Sequence, residues 1–96
     1  MTEREYQRAL CKRIQQRLPD AIILKNDSSY IQGIPDLLIL HKERWAALEV
    51  KVDESAEHQA NQDHYIDKMD NWSYAAFIYP QNEKEILDGM ERSLKA

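Results

Sequence analysis

The stretch GIPDLLILHKERWAALEVK, Gly33 to Lys51, decides the fold. It contains two short apolar runs, Asp36 to His41 and, continuing one residue past the quoted stretch, Trp45 to Val52. The polar turn Lys42-Glu43-Arg44 joins them. Runs of this length, rich in Leu, Ile and Val and bounded by turn residues, predict hairpin strands in preference to helix. Charges sit at the hairpin's open end. Asp36 follows Pro35 at the start of the first strand, and Glu49 and Lys51 lie two apart near the end of the second. Strand side chains alternate faces, so Glu49 and Lys51 point one way and Val50 the other. Antiparallel pairing brings the start of one strand beside the end of its partner, which puts Asp36 next to Glu49 and Lys51.

Charges on an apolar sheet are costly unless they are paired or hold an ion. Two readings follow. One is a structural salt bridge at a sheet end. The other is a divalent-metal site, because two hard carboxylate oxygens suit Mg²⁺ or Mn²⁺, which keeps waters in its remaining positions. In the second reading the lysine orients or deprotonates an attacking water, or neutralises charge in the transition state.

Gly33-Ile34-Pro35-Asp36, followed about a dozen residues later by Glu49-Val50-Lys51, resembles the motif of the PD-(D/E)XK nucleases. The fuller pattern resembles the virus-type replication-repair nuclease domain (VRR-NUC), particularly its small stand-alone phage versions. That pattern has an N-terminal helix bearing a glutamate, Gly-x-Pro-Asp, Glu-x-Lys, and a glutamine on the next helix. Here Glu3 or Glu5 fits the first position and Gln62 or Gln59 the last, with Gln62 aligning better. The resemblance spans nearly the whole chain. It implies an α/β, restriction-endonuclease-like αβββαβα core and hydrolysis of DNA phosphodiesters, with structured or branched DNA as a candidate substrate. It further implies Asp36, Glu49 and the Val50 carbonyl as ligands for Mg²⁺ or Mn²⁺, with Lys51 and Gln62 completing the catalytic set and no organic cofactor.

Ninety-six residues fit one domain, residues 1–96, with a modest core. No apolar run approaches the roughly 18 residues of a membrane span, and the opening MTEREYQRAL has no signal-peptide core. The single cysteine, Cys11, excludes an internal disulfide and a cysteine-rich zinc site. A cytoplasmic protein is expected, and the resemblance implies a phage-encoded one in a bacterial host as a candidate origin.

The net charge of −4 argues against a simple nucleic-acid coating protein. Its distribution is uneven. Residues 1–18 carry Arg4, Arg8, Lys12, Arg13 and Arg17 against Glu3 and Glu5, a balance of +3, whereas residues 53–70 carry six carboxylates against Lys68, a balance of −5. Arg4, Arg8 and Lys12 are four apart on one helix face, so a DNA-facing surface should use the first helix; a merely solvated face is the alternative.

Helix one is expected over Glu3–Arg17, with a Thr2/Glu5 capping box and an apolar stripe of Tyr6, Leu10, Ile14 and Leu18. Ala21–Lys25 reads as a strand and Asn26-Asp27-Ser28-Ser29 as a turn. Ser55 is the expected cap of a second helix running to about Asp70, on which Gln59 and Gln62 stand one turn apart. Trp72–Tyr79 reads as the last strand, and Asn82 and Glu85 as the start of a helix presenting Ile86, Leu87, Met90 and Leu94. His58 and His64 lack zinc-ligand spacing, and with glycine only at 33 and 89 no phosphate-binding glycine loop exists. The competing function classes are a nuclease-fold module that binds DNA or protein without cutting, and a small structural partner in a phage replication or packaging complex. Cutting both strands needs two sites, so a two-fold homodimer is expected, with the last helix and Trp72 as candidate contacts.

Overall fold

The computed structural model describes residues 1–96. In order it contains α1 (Glu3–Arg17), β1 (Ile22–Lys25), β2 (Leu37–His41), β3 (Arg44–Val50), α2 (Gln62–Trp72), β4 (Tyr74–Ile78) and α3 (Glu83–Lys95). This is the expected αβββαβα order. The sheet runs β1-β2-β3-β4, with antiparallel pairing at β1/β2 and β2/β3 and parallel pairing at β3/β4. The parallel step requires a crossover, which α2 supplies.

The hairpin closes more tightly than the charge pattern suggests. His41 pairs with Arg44, leaving a two-residue turn, Lys42-Glu43, in which Lys42 takes a left-handed φ of 59°. Arg44 is therefore a strand residue. At the other end the β2/β3 ladder stops at Leu37–Leu48, and Asp36 stands just outside β2. Lys51 lies one residue beyond β3, although its N–H still donates to the Ile78 carbonyl at 2.9 Å.

Period-two alternation divides the core into two layers. Leu37, Ile39, Ala46, Leu48, Val50 and Ile78 face α1 and α3, where they meet Tyr6, Leu10, Ile14, Leu87, Met90 and Leu94. On the other face α2 covers β3 and β4, packing Ile66 against Ala47 and Ala75. Residues 46–50 are all buried because β3 has helices on both sides. The capping box forms as expected: Glu5 N–H donates to Thr2 Oγ1 at 3.1 Å and Thr2 N–H to Glu5 Oε1 at 2.8 Å. Side-chain bonds tie α1 to α3: Arg13 Nε to Glu83 at 2.6 Å, Tyr6 Oη to Glu83 at 2.8 Å, and Arg17 to Asp88 at 2.8 Å.

Three expectations need correction. Ser55 does not cap α2. Its N–H and Oγ both donate to Asp53 Oδ1, and this local turn diverts the chain into a loop until Gln62. The residue before α2, Asn61, holds a left-handed φ of 70° and makes no side-chain cap. Trp72 ends α2 instead of starting β4, and it is 66% exposed. Finally, the apolar face of α3 is consumed by the core, so it is not free for a second subunit. Bare apolar side chains lie elsewhere, among them Ile22 and Leu24 on edge strand β1.

Candidate functional site

The register that aligns Leu37 with Leu48 carries Asp36 beside Glu49. Asp36 is anchored there by its own side chain: Oδ2 accepts the Val50 N–H at 2.8 Å. Glu49 and Lys51 share the α2 face of the sheet and are 3% and 5% exposed, the only charged residues in the buried set. Glu49 Oε2 accepts from Gln62 Nε2 at 3.0 Å. Lys51 Nζ donates to Gln62 Oε1 at 2.7 Å and to the Glu57 carbonyl at 3.0 Å. Gln62 Oε1 also accepts the Gln59 N–H at 2.8 Å. One amide thus locks the carboxyl, the amine and the loop together.

Glu49 is pushed up to about 9. Burial is the main cause; the Asp36 charge and a hydrogen bond between the two carboxyls add to it, and Lys51 opposes it. The Lys51–Glu49 separation of 4.0 Å is at the outer limit of an ion pair. A pair designed for stability would be closer, and Lys51 spends its short bonds on neutral acceptors instead.

These residues line a cleft of about 410 Å³ together with Glu3, Ser28, Gly33, Ile34, Ala56, Glu57 and Gln59. Glu3 is raised by partial burial and by Asp36, with Lys51 opposing. Of the two candidate N-terminal glutamates, Glu3 is at the cleft, while Glu5 is held by its cap and lowered by the Thr2 hydrogen bonds. Of the two glutamines, Gln62 makes the side-chain contacts and Gln59 gives its main-chain N–H. The Glu57 carbonyl escaped sequence reasoning because a main-chain acceptor leaves no residue-type signal.

Two loops meet behind the site at Gly33. Its φ of 90° is left-handed, and a Cβ there would lie 2.6 Å from Asn61 Cβ and 2.8 Å from the Asn61 carbonyl carbon. Only glycine fits both demands. This contact sets the loop before β2 against the residue that precedes Gln62.

No group of three or more His, Cys, Asp or Glu converges as a closed cation cage. The donor set is instead a carboxyl pair, Asp36 and Glu49, with Glu3 at the same cleft. An open pair of hard oxygens suits Mg²⁺, which is ordinarily held by one or two carboxylates while keeping waters and substrate phosphates. The residues present fit such an ion. Arg4, Arg8 and Lys12 are exposed on α1 and make no ion pair, unlike Arg13 and Arg17.

No protein-family model matches the chain, and no curated protein matches it significantly. Among solved structures it is similar to Hjc, a Holliday junction resolvase from the archaeal hyperthermophile Archaeoglobus fulgidus. The TM-score is 0.54 at 13% identity, over 80% of this chain and 68% of that one. The likeness shows the fold: a restriction-endonuclease-like α/β unit with a mixed four-stranded sheet flanked by three helices. No helix is long and apolar enough to cross a membrane.

Proposed function

We propose that this chain is a metal-dependent nuclease of the PD-(D/E)XK type, with residues 1–96 forming one VRR-NUC-like domain that hydrolyses DNA phosphodiesters. The observation that carries this reading is the buried Glu49 carboxyl held against Asp36, with Lys51 aimed beside it by Gln62 and Glu57. Burying two carboxyls together is unfavourable in the free protein, and a cation relieves it. The resolvase likeness supports the fold this chemistry would use and makes branched DNA the first substrate to try.

Asp36, Glu49 and the Val50 carbonyl would hold one or two Mg²⁺ or Mn²⁺, with Glu3 reaching the same cleft. When bound, the cation supplies Lewis-acid polarisation of the phosphate and a more acidic water. Lys51 Nζ is fixed by two acceptors, so it can turn one N–H towards the phosphate and stabilise developing negative charge without reorganising. Gln62 is a positioning residue: it spans Glu49 and Lys51 and sets their separation. Arg4, Arg8 and Lys12 would take backbone phosphates, an interaction weakened by salt. The protein would act inside the cell, as a two-fold dimer joined through the bare β1 face.

The test is a cleavage panel of single-stranded, duplex, flap and four-way DNA with Mg²⁺ or Mn²⁺. The wild type should cut at least one substrate. Lys51→Ala should cut it about 10²–10³-fold more slowly, the range for losing one transition-state donor. A wild type that cuts nothing in the panel rules the assignment out.

A further inference from the structure

The loop between β1 and β2 presents an apolar tip that the fold itself does not use. Tyr30 is 85% exposed and Ile31 38% exposed, the hydroxyl of Tyr30 has no hydrogen-bond partner in the protein, and Gln32 beside them is also exposed. Yet the loop is built firmly. Asn26 closes its base, with N–H to the Asp36 carbonyl at 2.8 Å and Nδ2 to the Pro35 carbonyl at 2.8 Å. Asp27 Oδ1 takes the Ser29 N–H and hydroxyl, and the Asp27 carbonyl takes the Tyr30 N–H at 3.1 Å. At the far end Gly33 is pressed against Asn61. Ser28 on one side of the tip and Gly33 and Ile34 on the other line the same cleft as Asp36 and Glu49.

A pre-ordered turn that holds an aromatic ring in water at the rim of a phosphodiester cleft is suited to receive a base. We infer that Tyr30, backed by Ile31, is a stacking platform for a nucleobase that has left its helix. It would select DNA with an unstacked nucleotide, at a branch, gap or single-stranded arm, over unbroken duplex. A base in continuous duplex has both faces covered by its neighbours, so it offers no free face to the ring. Base–aromatic stacking is tolerant of sequence, so the platform would read DNA structure and not sequence. Pairing within a duplex is lost for such a base already, so the protein does not have to supply that energy.

The inference rests on the nuclease reading, and the test separates the two. Wild type, Tyr30→Ala and Tyr30→Trp are titrated, in chelator, against an unbroken duplex and a gapped duplex carrying 2-aminopurine in the gap. The variants are at an exposed position, so melts should match the wild type. The wild type should bind the gapped DNA about tenfold or more tightly than duplex and quench the 2-aminopurine. Tyr30→Ala should lose both the preference and the quenching while holding duplex affinity within about twofold, and Tyr30→Trp should restore them. If Tyr30→Ala keeps the preference and the quenching, the platform is refuted and the nuclease assignment survives through the cleavage panel. If the wild type binds neither DNA, the platform is refuted, and the nuclease assignment is again decided by the cleavage panel.

Discussion

Burial and the Asp36 charge lift Glu49 from 4.5 to about 9, so in the folded, metal-free protein this carboxyl keeps its proton across a window where the unfolded chain has lost it. The sign follows directly. A raised folded value stabilises the fold at low pH, and that contribution is lost as pH climbs from about 4.5 towards about 9. Melting of the wild type in chelator should therefore fall across this window. Glu49→Gln, which cannot ionise, should fall distinctly less; parallel pH profiles for the two proteins would show that Glu49 is not the group responsible. Asp36, Glu49 and Lys51 were legible as a cluster because hairpin pairing and strand alternation are geometric consequences of the two apolar runs. The choice between Glu3 and Glu5 was not. Both stand in the first turn of α1, and only its docking beside the open end of the hairpin puts Glu3 at the cleft and leaves Glu5 to its cap.

At the scale of elements, α1, the hairpin and α3 follow from periodicity, and their boundaries match the sequence to within a residue or two. The segment after Lys51 does not, because Ser55 satisfies an N-cap pattern equally well as an Asx turn, and Asp53 two residues earlier captures it. The result is useful to the site: a loop, not a helix, brings the Glu57 carbonyl onto Lys51 and the Gln59 N–H onto Gln62. Its partner contact at Gly33 predicts a specific weakness. Gly33→Ala places a methyl against Asn61 and a side chain at a left-handed φ, and should cost about 1–3 kcal/mol in urea unfolding. The same substitution should slow cleavage, because Gln62 follows Asn61 directly. A variant as stable as the wild type would mean that the two loops part without cost.

For the molecule as a whole, α1 and α3 cover one face of the sheet and α2 only the β3/β4 half of the other. Ile22 and Leu24 face outward on that uncovered side, at 58% and 42% exposure, with Leu40 and Leu38 as their register partners on β2. Of the two subunit contacts expected, α3 is spent on the core while Trp72 stays exposed, and we propose this apolar strip as the seam. A two-fold pairing would bury it against its own copy. Light scattering at tens of micromolar should give a dimer mass for the wild type and a monomer mass for Ile22→Asp/Leu24→Lys, with little change in protomer melting. A monomeric wild type would remove the dimer from the account. The −4 net charge hides the cationic face of α1, since it averages the acidic loop and α2 with the unpaired cations of that helix.

The central claim is that Asp36 and Glu49 were brought together to hold a divalent cation, and calorimetry with Mn²⁺ or Mg²⁺ tests it most directly. Wild type should bind with affinity that rises with pH, as the Glu49 proton leaves. Asp36→Asn and Glu49→Gln, each a near-isosteric loss of one charge, should remain folded and lose the binding, whereas Lys51→Ala should retain it. A wild type that takes up neither ion, with all three variants melting early, would contradict the claim and return the cluster to a buried ion pair.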